Sequence, residues 1–161
     1  MNFSNLIQNK TFLKAAFFAL GSLVVLFFMG KYSPEKTLDT RFYYSLETAV
    51  NYIFLLPIQE RVNYLYTELF DLLFIIFYTG FLLIVTKTVN PKIQKFVFLI
   101  AVFDTLETAS IVLGLTQVVQ FENLFYLPFA TTAKWLSVAV VILGLGFSLF
   151  FSLLKRRPLR S

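Results

Sequence analysis

KFVFLIAVFDTLETASIVLGL, residues 95–115, is an apolar stretch with two carboxylic acids near its middle. At 1.5 Å per residue the stretch is long enough to cross a hydrocarbon core of about 30 Å, which predicts a transmembrane helix. Asp104 and Glu107 are three residues apart and therefore lie on one face of that helix, about 60° from each other. A charged acid at this depth costs at least about 2.5–3.5 kcal/mol, so the pair demands an explanation.

Three similar apolar stretches occur elsewhere in the chain. Together with the first they predict membrane spans at 12–30, 64–86, 96–117 and 127–154, within a single transmembrane domain covering 1–161. The composition agrees, because 58% of the residues are hydrophobic, whereas soluble domains average about 45–50%. We therefore predict an all-α fold, an integral membrane four-helix bundle.

The connection between spans one and two, residues 31–63, is long enough to hold a helix of its own. We expect an amphipathic extracytoplasmic helical segment there, which either packs over the ends of the spans or acts as a lid over a cavity. Its apolar residues recur at helical spacing: Leu46, Ala49, Val50, Ile53 and Phe54.

The distribution of Lys and Arg predicts the orientation of the bundle. Nine of them flank the spans on the side that holds the N-terminal flank, the 87–95 turn and the C-terminal tail. The opposite side has four, all within residues 31–63, and the 118–126 connection has none. By the positive-inside rule both termini are expected in the cytoplasm, in a multi-pass protein of the cell membrane.

The chain contains no His and no Cys. Their absence excludes thiolate nucleophiles, imidazole bases, thiol redox chemistry and the usual zinc and haem ligand sets. We expect no cofactor and no metal site, since nothing in the spacing of the acids specifies a metal. The basic residues flank apolar segments instead of alternating with aromatics, so nucleic acid is not expected as a partner. The oligomeric state stays open.

Polar residues of other spans are predicted to lie near the two acids. Measured from the cytoplasmic end of each span, Tyr78 lies at the depth of Asp104 and is the best candidate for a hydrogen bond to it. Thr108 lies on the same helical face as the acids. Two acids this close cannot both ionise cheaply without a cation or water, so we expect at least one to carry a proton.

Lys134 is the cation nearest to these acids, and two interpretations of it are open. It is either a counter-ion or, with its neighbour Trp135, an ordinary anchor at the membrane interface. The same depth measurement places Lys134 near the outer boundary, where Asp71 is a better ion-pair partner than Glu107. The series from Lys134 and Asp71 inward to Asp104 predicts a polar cleft that opens outward.

Three functions are compatible with this cleft. The acids could hold the helices together, could bind a ligand or an ion, or could act as an intramembrane acid/base enzyme on a lipid. Whether the chain is an enzyme therefore stays open. The leading hypothesis is a site for membrane lipid or another small amphiphilic ligand. Its predicted residues are Asp71, Tyr78, Asp104, Glu107, Thr108 and Lys134.

Four short stretches, YYSLETAV, QERVNYLYTELFD, FDTLETA and TTAKW, together resemble a group of short four-span bacterial membrane proteins without an assigned activity. The resemblance covers roughly residues 42 to 136 and implies the fold and a bacterial inner membrane location, not a chemistry. It rests on Tyr64, Leu65 and Asp71, the pair Asp104 and Glu107, and the pair Lys134 and Trp135. The chain departs from that pattern where Leu-Leu follows Asp71, in place of Phe-Pro, and where Thr108 replaces Asn.

Overall fold

The computed structural model describes residues 10–33, 37–38, 40–117, 120 and 123–155. In these ranges every regular element is helical, and four of the helices are long and apolar enough to cross a membrane. The predicted all-α four-helix membrane bundle is confirmed. The C-terminal arginines and residues 118, 119, 121 and 122 of the predicted 118–126 connection lie outside the described residues.

Three of the four membrane-spanning helices are longer than the sequence predicted, the third has the predicted length but begins two residues earlier, and the second differs most. Its helix begins at Ile58, six residues before the predicted start, with Pro57 in the N-cap position. At 32 residues it is about 48 Å long and exceeds a hydrocarbon core of about 30 Å. The described helices, in chain order, are α1 (Lys10–Tyr32), α2 (Leu46–Leu55), α3 (Ile58–Val89), α4 (Gln94–Leu115) and α5 (Leu127–Lys155).

The predicted amphipathic helix in the long connection is confirmed as α2. Ser45 caps it, because its hydroxyl oxygen accepts a hydrogen bond from the backbone N–H of Thr48 at 3.1 Å. Ala49 and Ile53 are buried on its inner face, where they join a cluster around Tyr64 and Ile111. The helix is therefore an integral part of the packing at this end of the bundle.

The two ends of the bundle differ, and we name them for what they carry. The turn end holds the α3–α4 turn, where Asn90 accepts a hydrogen bond from the N–H of Lys92 before a short 3-10 helix, Pro91–Ile93. The loop end holds α2 and the α4–α5 connection. One apolar cluster lies toward each end, around Tyr64 at the loop end and around Val97 at the turn end.

Close helix packing follows the order α1–α3, α3–α4 and α4–α5, and in the described part of the chain α1 and α5 form no packed interface. The α1–α3 contact is locked by two reciprocal pairs, in which a ring lies on a glycine. A Cβ added to Gly21 would lie 2.2 Å from the ring of Phe77, and one added to Gly80 would lie 2.4 Å from the ring of Phe18. The row of four helices thus leaves a gap between its first and last members.

Candidate functional site

A layer of buried polar side chains lies between the two apolar clusters, and Glu107 is its most enclosed member. The carboxylate is 0% exposed. Tyr44, from the connection before α2, donates its phenolic O–H to Glu107 Oε1 at 3.0 Å. Thr131 donates to the same oxygen, and Lys134 forms an ion pair with Oε2. Three side chains from two separate parts of the chain, the connection before α2 and the helix α5, therefore contact this one acid.

Asp104 shares Lys134 with Glu107 but has different surroundings. Its Oδ1 lies 3.0 Å from Lys134 Nζ, and its Oδ2 accepts a hydrogen bond from the Tyr78 hydroxyl at 2.7 Å. The predicted Tyr78–Asp104 hydrogen bond is confirmed. The Asp104 side chain keeps 11% exposure, because it borders the cavity described below.

Two further acids of α3 complete the layer. Asp71 accepts a hydrogen bond from the hydroxyl of Thr108 at 2.7 Å, which joins α3 to α4. Glu68, one turn earlier on the same face, is buried at 1% exposure, and its charge acts on Tyr44. The layer thus contains four carboxylic acids and Lys134, which pairs with two of them, Asp104 and Glu107.

Lys134 pairs with both acids of α4, which decides between the two interpretations that the sequence left open and corrects the predicted ranking of its partners. It is buried at 6% exposure, which contradicts an interface anchor, and it pairs with Glu107, which had been ranked below Asp71 as its partner. The error came from measuring depth from the turn end, although α5 extends further there than α4. Measured from the loop end, Glu107 lies about 12 Å from Leu115 and Lys134 about 10 Å from Leu127, which places them at one level.

Three residues of this polar layer were not predicted from the sequence: Tyr44, Glu68 and Thr131. Thr131 and Glu68 could have been identified from the sequence by their spacing. Thr131 lies three residues before Lys134 and Glu68 three residues before Asp71, so each shares a helical face with a predicted site residue. Tyr44 had no such signal, because its contact with Glu107 joins residues far apart in the chain. Burial and the nearby Glu107 carboxylate raise the pKa of Tyr44 above its ordinary value, so its hydroxyl stays protonated and remains a donor.

A cavity of about 510 Å³ occupies the gap between α1 and α5. Its polar wall consists of Asp71, Tyr78, Asp104 and Lys134, with Thr40 of the connection at the loop end. Glu107 and Thr108 do not line it. The remainder of the wall is apolar and comes from α1, α3, α4 and α5: Leu26, Met29, Phe74, Leu82, Ile100, Trp135, Val138, Val141, Ile142 and Leu145.

Trp135 contributes an unsatisfied donor beside this cavity. Its ring lies against Lys134 Nζ at 5.6 Å, and its indole N–H is buried without a hydrogen-bond partner in the described part of the chain. Since buried donors in native proteins are almost always paired, this N–H is available to a hydrogen-bond acceptor.

The acids of the polar layer do not cluster in the way that a metal-binding site requires. Among the described residues no three Asp or Glu side chains approach closely enough to hold an ion. The polar layer instead supplies hydroxyl donors, carboxylate acceptors and one shared ammonium group.

Comparison with protein-family models, with curated proteins and with solved structures found no match for the chain. The resemblance to short four-span bacterial proteins stays a prediction, as does the bacterial inner membrane location.

Proposed function

We propose that this membrane protein binds one lipid-like amphiphile in the cavity between α1 and α5. The observation that carries the proposal is the division of the cavity wall. Its polar residues, Asp71, Tyr78, Asp104 and Lys134, lie between the middle of the bundle and the loop end, within about 10 Å along the helix axes. The wall toward the turn end is apolar as far as Leu82 and Leu145. Its volume of about 510 Å³ falls in the range of about 300–1,000 Å³ typical of ligand pockets.

The position of the cavity supports a ligand that arrives from the bilayer. Since α1 and α5 form no packed interface in the described part of the chain, the gap between them is open on the side that we expect to face lipid. Ile142, which lines the cavity, is 63% exposed on that side. An acyl chain can enter sideways through this gap, with its headgroup beside the polar residues of the wall. The cavity therefore need not open outward to water, although the sequence had suggested an outward opening.

The charge of the polar wall selects the headgroup. Asp71 and Asp104 face one ammonium group, Lys134, which is already paired with Asp104 and Glu107. A phosphate monoester would place further negative charge beside these carboxylates, which is unfavourable in a low-dielectric site. A headgroup with hydroxyl or ammonium groups can donate to the carboxylates, and a hydroxyl oxygen can also accept from the indole of Trp135. We propose a lipid alcohol or a lipid amine as the ligand.

Filling the cavity tests this proposal without altering any charge. Val138→Trp should block the cavity and lower lipid retention at least tenfold, measured by native mass spectrometry after titration with diacylglycerol. Val140→Trp is the matched control, because Val140 lies on the same helix, outside the cavity lining and partly exposed. Equal retention by the two folded variants would contradict the proposal, and so would tighter binding of phosphatidic acid than of diacylglycerol.

A second candidate function, acid–base catalysis on the bound lipid, is favoured by the position of Lys134. This lysine borders the cavity and contacts both Asp104, which also borders it, and Glu107, which does not. A positioned acid, a base and a shared cation are what proton transfer requires. Lipids incubated with the protein and analysed by mass spectrometry should then change chemically, and Asp104→Asn should abolish the change. Recovery of every lipid class unaltered would contradict catalysis, and lipid binding would then be the one function proposed.

A further inference from the structure

A second recess lies at the turn end of the bundle, between α1 and α3, and it has the opposite charge. It measures about 440 Å³ and is lined by Thr11, Lys14, Ile84, Lys87 and Thr88. The two lysines come from the beginning of α1 and the last turn of α3. Neither belongs to the cavity between α1 and α5.

No carboxylate balances these lysines. Neither Lys14 nor Lys87 forms an ion pair within the described part of the chain. The sequence places no Asp or Glu in residues 1–34, 72–103 or 123–161, which include every segment at this end. Two ammonium groups that converge on one recess without a counter-ion form a site for an anion.

The surroundings of the recess indicate an anion that carries an acyl chain. Ile84 forms part of the recess itself. Phe17 and Leu20, one and two turns further along α1 from Lys14, are each 62% exposed on the surface of a membrane-spanning helix. A phosphodiester held by Lys14 and Lys87 can therefore lay its acyl chains along these side chains, an option that free phosphate lacks.

We propose that Lys14 and Lys87 bind the phosphate of an anionic phospholipid in the recess between α1 and α3. Each lysine at a membrane surface strengthens binding to anionic lipid by about fivefold. The site is independent of the amphiphile proposed for the cavity between α1 and α5, and its ligand has the headgroup that the cavity disfavours.

The test compares two double variants of the full chain that remove the same charge. Lys14→Gln with Lys87→Gln alters the recess. Lys92→Gln with Lys95→Gln removes two exposed lysines of the neighbouring turn, outside the recess. Each protein, in neutral detergent, is titrated with phosphatidylglycerol and with phosphatidylcholine, and the bound lipid is measured by native mass spectrometry.

The recess variant should bind phosphatidylglycerol at least tenfold more weakly than the unmodified protein, and the turn variant should stay within about twofold. Neither variant should change phosphatidylcholine binding, which also serves as the check that both are folded. An equal loss in both variants would mean diffuse attraction by the whole turn end and would overturn the proposal. Displacement of phosphatidylglycerol by millimolar inorganic phosphate would assign the recess to free phosphate, which also overturns it.

One further measurement shows which of the two sites holds phosphatidylglycerol. Val138→Trp, which fills the cavity between α1 and α5, should leave phosphatidylglycerol binding unchanged, since Val138 lies outside the recess. A loss of phosphatidylglycerol in this variant would mean that the lipid occupies the cavity between α1 and α5 instead, and the proposed recess would be wrong.

Discussion

Asp104 and Glu107 lie one helical turn apart and share the same lysine, yet their surroundings differ. Glu107 is fully enclosed, and its partners come from the connection before α2 and from α5. Asp104 keeps some exposure and borders the cavity between α1 and α5. The comparison teaches that two neighbouring acids in one membrane span can occupy different environments, one enclosed by protein and one at a cavity wall.

Removing the shared cation should have the largest effect. Lys134→Met leaves the Asp104 and Glu107 carboxylates buried without their ammonium partner. Breaking a buried ion pair from one side costs about 3–5 kcal/mol, so we expect a loss of that size in the free energy of unfolding. Chemical unfolding in detergent measures it, with Lys95→Met as a control at an exposed lysine. Equal stability of the two variants would show that Lys134 does not hold the layer together.

Neutralising each acid in turn tests the comparison directly. Glu107→Gln should lower the free energy of unfolding by about 2–3 kcal/mol, because it weakens charge-assisted hydrogen bonds inside the protein. Asp104→Asn should cost about 1 kcal/mol or less, because the amide keeps an acceptor for Tyr78, and it should instead reduce lipid retention in the cavity. The reverse ranking, in unfolding or in retained lipid, would exchange the roles assigned to the two acids.

Tyr44 tests how Glu107 holds the loop end. Tyr44→Phe removes the hydroxyl that connects this segment to Glu107 and should cost about 1–2 kcal/mol. Hydrogen exchange at α2 should become faster, since the connection loses its bond to α4. Tyr43→Phe is the matched control, because its neighbouring ring is 66% exposed. Unchanged exchange at α2 in Tyr44→Phe would mean that apolar packing alone holds this helix.

The smallest effect is expected from pH. The pKa of Tyr44 is raised in the folded protein, so folding favours the protonated phenol. Its contribution is complete below the ordinary tyrosine pKa of about 10 and decreases as the pH rises above that value. The stability difference between the unmodified protein and Tyr44→Phe should therefore be constant from pH 7 to 9 and shrink at higher pH. A difference that grows above pH 10 would contradict the assigned hydrogen bond.

The sequence was sufficient for the fold because each span is a long apolar stretch bounded by charge or by proline. The amphipathic period of α2 was also visible, and Tyr78 could be matched to Asp104 because both lie at similar distances from the same turn. The partners of Glu107 could not be predicted in the same way. Tyr44 contacts Glu107 from an irregular connection, and the position of such a segment cannot be predicted from helical periodicity. The depth of Lys134 in the bundle depends on how far α5 extends past α4 at the turn end.

The reciprocal ring-on-glycine contacts between α1 and α3 also restrict how the bundle can move. Each aromatic ring occupies a notch that admits no Cβ, so α1 cannot slide along α3 without driving Phe18 and Phe77 into helix backbone. These contacts therefore hold α1 and α3 in a fixed register along their lengths. Widening of the gap beside α5 then requires α1 and α3 to move together, or α5 to move relative to α4.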